Sequence, residues 1–130
     1  MEGYRELSMV TILALIECLV FASLVGRARV KNKIEAPATT GNPEFERYFR
    51  VHQNTLEALV VFLPALWIFS MAVHYHLGVA LGLLFVIGRI IYASGYIKEP
   101  GKRTPGALIT FGVNFILVAG SLIVITIKVL

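Results

Sequence analysis

The chain has 130 residues, of which 57% are hydrophobic and only 15% are charged. About a quarter of the residues of a typical soluble domain are charged, so this composition excludes an ordinary soluble domain and favours an integral membrane protein. Twelve basic residues against eight acidic ones give a formal net charge of +4. The basic residues flank apolar stretches and come with no nucleic-acid-binding motif, so we expect no nucleic-acid partner.

Four apolar stretches follow one another along the chain, at residues 7–25, 58–73, 77–97 and 108–129. Each is close to the roughly 20 residues that a helix needs to cross a bilayer. The first has no basic segment before it and no small-residue cleavage site, so we expect a mature helix and not a signal peptide. The pattern predicts an all-α membrane protein, a four-transmembrane-helix bundle that forms a single domain over residues 1–130. Such a small bundle has little interior volume, which favours a homo-oligomer.

Basic residues are concentrated in the two segments that join helix one to two and helix three to four. The first segment carries Arg27, Arg29, Lys31, Lys33, Arg47 and Arg50, and the second carries Lys98, Lys102 and Arg103. The opposite side has only Arg5, Lys128 and a turn with two histidines. The positive-inside rule then predicts that the basic loops face the cytoplasm and both termini face outside.

Helix two is expected to begin well before its apolar stretch. Asn42 can cap the helix and Pro43 suits its first position. Adding the polar turns at residues 44–57 gives a helix that projects beyond the bilayer. Pro64 falls at mid-membrane and is expected to kink the helix, because it removes one backbone hydrogen bond.

Polar side chains form two stripes when the helices are drawn at 100° per residue. A sector of about 100° on helix two holds Glu46, Arg50, Gln53, Asn54 and Glu57. A narrow stripe on helix three holds Arg89, Tyr92 and Tyr96. Both stripes lie toward the cytoplasmic half, and Arg103 follows one short loop later. Polar groups inside a membrane are costly, so such a concentration indicates a functional site.

The chemistry of these stripes indicates a small peptide ligand. Several cations call for carboxylates, Glu57 calls for an ammonium or guanidinium, and tyrosines offer rings and hydroxyls. Glutathione, with two carboxylates and one amine, fits this inventory. Its thiol has a pKa of about 8.5, so only a few per cent is ionised at pH 7. A guanidinium within about 4–6 Å lowers a thiol pKa by roughly 1–3 units and so favours the thiolate.

A purely structural role for the charged residues stays open at this point. Arg50 can form an ion pair with Glu46 or Glu57, and Arg89 can form one with Glu17. Glu17 lies near the centre of helix one, where a charge is most costly, so we expect it to face the interior. A membrane carboxylate there also resembles the proton-coupled small multidrug transporters, and an exporter that uses Glu17 remains an alternative function.

Other residues also have simpler interpretations. Tyr92 and Tyr96 can be interfacial belt residues, and Arg103 can be an anchor on the cytoplasmic side. His74 and His76 are too few and too isolated to bind a metal, so we expect no metal site and no role for them.

A series of motifs extends over nearly the whole chain. They are Arg29, PATTG at 37–41, PEFER at 43–47, RVHQNTLE at 50–57, LW at 66–67, GRIIYASGY at 88–96 and RTP at 103–105. Together they resemble the MAPEG family, the membrane-associated proteins in eicosanoid and glutathione metabolism. The helix-two motif and the Arg-x-x-Tyr-x-x-Gly-Tyr motif are specific when they occur together.

The resemblance implies a homotrimer that binds glutathione, as a co-substrate, between neighbouring subunits and on the cytoplasmic side. The positions that contact glutathione from one subunit are Arg50, Asn54, Glu57, Tyr92, Tyr96 and Arg103. Arg29 and His52 approach it from the neighbouring subunit. Arg103 matches the position credited with stabilising the thiolate. Arg89 matches a recurrent arginine of the family, which we interpret as lying behind the ligand-binding residues.

The resemblance also implies an enzyme. Ala58 and Val60 stand where the leukotriene synthase branch carries Tyr and Pro, which argues against a dedicated leukotriene synthase. The non-catalytic branch lacks several glutathione positions that this chain keeps, so a lipid-binding adaptor is only an alternative. We expect a general glutathione transferase that conjugates glutathione to lipophilic electrophiles from the bilayer, with glutathione-dependent reduction of lipid hydroperoxides as a second activity. The apolar pocket is expected between helix one of one subunit and helix four of another, and a bacterial inner membrane is favoured over endoplasmic reticulum.

Overall fold

Four long helices make up most of the chain in the computed structural model, which describes residues 2–130. They are α1 (Arg5–Asn32), α2 (Pro43–Ala72), α3 (Tyr75–Lys98) and α4 (Thr104–Val129). Short 3₁₀ turns, Glu2–Tyr4 and Pro100–Arg103, precede α1 and α4. Each of the four helices is long and apolar enough to cross a membrane, and the fourth span includes the turn before α4. The predictions of an all-α, four-helix architecture and of an integral multi-pass membrane protein are therefore confirmed.

Helix α1 continues beyond its apolar stretch, which the sequence places up to Val25. Arg27, Arg29 and Lys31 lie in the last turns of α1, so the prediction that they belong to a loop was wrong. Cations near a helix C-terminus interact favourably with the helix dipole, which explains why the helix does not end where its hydrophobicity ends. Lys33 ends it in the left-handed conformation, with φ of 56°, and its N–H donates to the Arg29 carbonyl.

The first residues of α2 and α3 are held by side-chain caps. The Phe45 N–H donates to Asn42 Oδ1 at 3.0 Å, and Pro43 occupies the first helical position, as predicted. Helix α2 then runs past Pro64 to its end without a break. In α3, the N–H three residues after His74 donates to the His74 Nδ1 atom at 3.0 Å. His74 was expected to have no role, and it caps a helix instead.

The apolar core lies where α2 and α3 pack against each other and against the two outer helices. Helices α1 and α4 each pack on both α2 and α3. The Phe62 and Phe85 rings stack with their centroids 3.7 Å apart, and both side chains are fully buried. Because α2 contacts all three other helices, its polar face is placed directly beside α3 and α4.

A cluster of aromatic and polar side chains fixes the start of α1. Trp67 Nε1 donates to Thr11 Oγ1 at 2.9 Å, and the Tyr75 hydroxyl donates to Glu6 Oε2 at 2.8 Å. The Tyr4 ring lies 6.1 Å from the Trp67 ring between centroids. These contacts hold the N-terminal end of α1 against α2 and α3, at the end of the bundle away from the basic loops.

Two loops, residues 33–42 and 99–103, lie at the other end, which we call the basic end. Arg47 of α2 ties that end together, because its Nη1 donates to the carbonyls of Ile97 and Lys98, both at 3.3 Å. These carbonyls are among those that the last turn of α3 leaves without a helical partner. The start of α2 and the end of α3 are therefore held side by side.

Two glycines allow close backbone approach next to this end. A Cβ atom on Gly106 would overlap the backbone of Tyr92, so α4 packs on α3 without a side chain between them. A Cβ atom on Gly95 would overlap the carbonyl of Lys102. Glycine at these two positions brings the segment before α4, with Arg103, close to α3.

Candidate functional site

A polar pocket of about 200 Å³ lies between α2, α3 and the turn before α4. Its lining residues are Arg50, Gln53, Asn54, Glu57, Tyr92, Tyr96 and Arg103. Six of the eight residues that the sequence assigned to a glutathione site are in this set. The two stripes on helices two and three therefore meet in one chain, at the basic end of the bundle.

Two tyrosine rings at one wall of the pocket lie between two guanidinium groups. The Arg89 Cζ atom lies 4.2 Å from the centroid of the Tyr92 ring, and the Tyr92 and Tyr96 centroids are 5.6 Å apart. The Arg103 Cζ atom lies 5.8 Å from the Tyr96 centroid. Cations are attracted to ring faces, so this series positions Arg103 at the pocket. Arg103 is exposed, and its Nη1 donates to the Pro100 carbonyl at 3.1 Å.

Arg89 lies behind this wall and is 0% exposed. Its Nη2 donates to Asn54 Oδ1 at 2.9 Å and to Thr55 Oγ1 at 2.8 Å, and its Nη1 donates to Thr110 Oγ1 at 3.1 Å. The ion pair considered between Arg89 and Glu17 does not form. Within residues 2–130, both Glu17 carboxylate oxygens are buried without a hydrogen-bond partner. Neutral oxygens on α2 and α4 satisfy the guanidinium in its place.

The ion pairs considered for Arg50 are not formed either, among the residues that the structure describes. Glu46 Oε2 accepts a hydrogen bond from the Gly41 N–H at 3.3 Å. Arg50 and Glu57 line the pocket together, and both are exposed. One cation and one carboxylate are thus available to a ligand from the same face of α2.

Arg29 and His52 lie outside the pocket in the single chain. The Arg29 Nη1 donates to the Ala38 carbonyl at 2.8 Å, and its Cζ lies 4.8 Å from the Phe45 ring centroid. His52 is absent from the pocket lining, in agreement with its projection to another side of α2. A single chain therefore does not place Arg29 or His52 at the polar pocket.

An apolar groove of about 580 Å³ lies between α2 and α4, next to the polar pocket. Its walls are formed by Asn54, Glu57, Ala58, Val61, Arg89, Ala107, Thr110, Phe111, Asn114, Phe115 and Val118. Asn54 and Glu57 line both cavities. A polar ligand and an apolar ligand can therefore lie in contact at these two side chains.

A comparison with known protein families matches residues 7–123 to the MAPEG family. The chain belongs to the MAPEG family. This confirms the membership that the motifs on helices two and three indicated. The match includes the whole of α2 and α3 and most of α1 and α4.

Curated relatives of this MAPEG chain include named enzymes. It is 38% identical to microsomal glutathione S-transferase 2 of Homo sapiens over 107 residues, 82% of this chain and 73% of the relative. It is 35% identical to leukotriene C4 synthase of Cavia porcellus over 97 residues, 75% of this chain and 65% of the relative. An uncharacterized protein of Synechocystis is 43% identical over 116 residues, 89% of this chain and 85% of that protein.

Three residues that help to build this site were not assigned to it from the sequence. Gln53 belongs to the predicted stripe but was not assigned to the site, and Thr55 and Thr110 were not singled out. Each threonine hydroxyl donates to the carbonyl four residues earlier, at 2.8 and 3.0 Å. Its oxygen can then only accept, and it accepts from Arg89. Threonines in apolar helices commonly bond to their own backbone, so their sequence positions carry no distinctive signal.

Proposed function

We propose that this MAPEG chain is a membrane-bound glutathione transferase that conjugates glutathione to lipophilic electrophiles, as in detoxification. The observation that supports this most strongly is the polar pocket, in which Arg50, Glu57, Tyr92, Tyr96 and Arg103 converge. Two of the relatives are named microsomal glutathione S-transferase 2 and leukotriene C4 synthase. Family membership supports the general class of activity, and the pocket supports the specific chemistry.

The pocket suits the charges of glutathione. Arg50 can bind a carboxylate through two parallel hydrogen bonds, because its guanidinium is a planar fork. Glu57 can bind the ammonium group, and the amides of Gln53 and Asn54 can bind the peptide groups. The arginines outnumber the single carboxylate of the pocket, which matches a ligand that has one more negative than positive charge.

Arg103 is assigned to the thiol. A guanidinium keeps its charge at all physiological pH values, so it stabilises the thiolate without giving up a proton itself. A shift of two units from a pKa of about 8.5 stabilises the thiolate by roughly 2.7 kcal/mol. The proton released by the thiol passes to water at the open basic end. Tyr96 holds the Arg103 side chain over its ring at this place.

The apolar groove is assigned to the second substrate. It meets the polar pocket at Asn54 and Glu57 and is otherwise mostly apolar, so an electrophile from the bilayer can reach the sulfur. The thiolate forms a carbon–sulfur bond, and the leaving group departs with the bonding electrons. With a hydroperoxide, two glutathione molecules supply two electrons and two protons, and give an alcohol, water and glutathione disulfide.

A homotrimer with a cytoplasm-facing site, in a bacterial inner membrane, is part of this proposal. In the single chain, Asn54 and Glu57 are exposed although they lie on a membrane-spanning helix. Exposing a carboxylate to lipid is costly, so a neighbouring subunit that covers this face is favoured. Such a neighbour would also bring Arg29 and His52 to the ligand, and its α1 would cover the apolar groove.

The proposal is tested with the purified, full-length protein in detergent or nanodiscs. Adding glutathione is expected to give a saturable ultraviolet absorbance of the thiolate, and adding a chloro-nitrobenzene is expected to give the conjugate with release of chloride. A protein that binds fatty acid saturably, but gives neither the thiolate signal nor conjugate, is a lipid-binding adaptor. That result would reject the transferase.

Glu17→Gln separates the transferase from the proton-coupled exporter. Glu17 lines neither the polar pocket nor the apolar groove, so we expect kcat/KM for conjugation to stay unchanged. The substitution removes a carboxylate that is buried without hydrogen bonds, so thermal stability should not fall. The wild type and the variant are also compared for drug efflux from cells. Efflux by the wild type that is lost in the variant, together with absent conjugation, would support the exporter instead.

A further inference from the structure

We infer that Arg89 is a positioning residue for the glutathione site, which fixes the Asn54 amide and the Tyr92 ring in the orientation that the ligand requires. This inference rests on the proposed function. Arg89 does not line the polar pocket itself. It contacts two side chains that do, one on α2 and one on its own helix.

The contact with Asn54 decides which end of the amide faces the ligand. A guanidinium has only donors, so the Asn54 atom at 2.9 Å from Arg89 Nη2 must be the carbonyl oxygen. The Asn54 amide nitrogen is then the atom left for the ligand, and it can donate to a carboxylate or peptide carbonyl of glutathione. Without Arg89, the two ends of the amide could exchange places by rotation about the last side-chain bond.

The guanidinium is itself prevented from rotating. Its Nε and Nη2 donate to Thr55 Oγ1 at 3.2 and 2.8 Å, and its Nη1 donates to Thr110 Oγ1 at 3.1 Å. These hydroxyls belong to α2 and α4, so the planar fork joins three helices at one point. A lysine ammonium would keep the charge but could not reproduce this geometry.

Tyr92 is fixed by the same group. Its ring lies with the centroid 4.2 Å from Arg89 Cζ and is 4% exposed. The backbone of Gly106 packs against the backbone of Tyr92. The burial and the guanidinium contact restrict the ring, and Tyr96 and Arg103 continue the series from it.

The positive charge of Arg89 is a separate contribution. Within residues 2–130, ion pairs within 4 Å include Lys31 with Glu44 and Lys102 with Glu99, and none of the pairs observed involves Arg89. The Arg89 guanidinium donates to the neutral oxygens of Asn54, Thr55 and Thr110, so its charge favours an anionic ligand nearby. Arg89→Lys keeps this charge and removes the fork, and so separates positioning from simple attraction.

A double-mutant cycle on glutathione affinity tests the inference. The variants are Arg89→Lys, Asn54→Ala and the double variant, each as full-length protein in nanodiscs, with Kd measured by titration calorimetry. If Arg89 acts through Asn54, each single variant weakens binding roughly tenfold, and the double variant is little weaker than either single one. Independent effects would multiply to about a hundredfold. Multiplying effects, or an unchanged Kd in Arg89→Lys, would overturn the inference.

Two further variants distinguish positioning from general damage. Phe62→Leu changes the buried Phe62–Phe85 stack, outside both cavities, and should lower the Tm without changing Kd. Thr55→Val removes the acceptor of two Arg89 donors and serves if Arg89→Lys does not fold. It is expected to weaken binding severalfold in the wild type and not in the Asn54→Ala background.

A wild type that binds no glutathione rejects the proposed function and this inference together. Wild-type binding in which the effects of the two substitutions multiply rejects the inference alone.

Discussion

Arg103→Ala is expected to lower the thiolate fraction of bound glutathione about 25-fold at pH 7, if the guanidinium lowers the thiol pKa by two units from about 8.5. About three quarters of the thiol is then ionised beside Arg103 and about 3% without it. A thiolate of higher pKa is intrinsically more reactive, by roughly eightfold for this shift, so the loss in rate is smaller than the loss of thiolate. In Arg103→Ala the sulfur of bound glutathione also loses the guanidinium that positions it. We therefore expect kcat/KM to fall at least about tenfold in total.

The pH dependence of this defect has a definite sign. In the proposed role, Arg103 lowers the thiol pKa of bound glutathione, so its stabilising effect matters where the free thiol is still protonated. As the pH rises through about 8.5, the thiol ionises without help, and the difference between Arg103→Ala and the wild type should shrink. Conjugation and thiolate absorbance are both measured at saturating glutathione between about pH 6 and pH 9. This range includes the thiol pKa expected with Arg103, about 6.5, and the thiol pKa expected without it, about 8.5.

Two control variants identify the cause of the defect. Arg103→Lys restores a charge but not the stacked guanidinium over Tyr96, so we expect partial recovery. Lys102→Ala removes the neighbouring cation, which pairs with Glu99 at 3.8 Å and does not line the pocket, and should leave both readouts unchanged. If Arg103→Ala keeps the wild-type thiol pKa, or if Lys102→Ala raises it equally, the thiolate role does not belong to Arg103.

The polar pocket could be predicted from the sequence because it depends on spacing within single helices. Residues such as Arg50, Asn54 and Glu57 recur at three- and four-residue intervals, which places them on one face of any helix. Tyr92 and Tyr96 follow the same rule on α3. Exposing these polar side chains to lipid is costly, so the polar faces of the two helices are expected to pack against each other.

The partners of Arg89 could not be predicted, because they depend on distances between helices. The sequence offered Glu17 as the one buried carboxylate that could neutralise it. The structure instead surrounds the guanidinium with Asn54, Thr55 and Thr110. Two threonine hydroxyls and one amide accept hydrogen bonds from its three nitrogen atoms, and no rule of helical spacing relates α4 to α2 in this way.

Arg29 and His52 show a second limit of the sequence, since their predicted role requires another subunit. The pattern on α2 separates His52 from Arg50 correctly, but one chain holds neither His52 nor Arg29 in the pocket.

The length of α1 is a third feature that the sequence did not predict. Hydrophobicity ends near Val25, whereas backbone hydrogen bonds and the helix dipole continue the helix to Asn32.

Gly106→Ala is the substitution expected to damage both the fold and the site. A Cβ atom at this position would overlap the N, Cα and Cβ atoms of Tyr92. Backbone atoms cannot turn aside as a flexible side chain can, so α4 must move away from α3. Overpacking of this kind costs roughly 1–3 kcal/mol of unfolding free energy, which exceeds the gain of about 1 kcal/mol from the higher helix propensity of alanine. SDS titration of the purified protein measures the change.

The same displacement should also weaken glutathione binding, because Tyr92 lines the pocket and α4 follows directly after Arg103. Gly112→Ala is the matched control on the same helix, since a Cβ atom there meets nothing within 4 Å. It should leave the glutathione Kd unchanged and keep or raise the unfolding free energy. If the two alanine variants behave alike, α4 does not depend on backbone contact with Tyr92. The packing of α4 on α3 would then not be what holds Arg103 and the aromatic wall of the pocket in register.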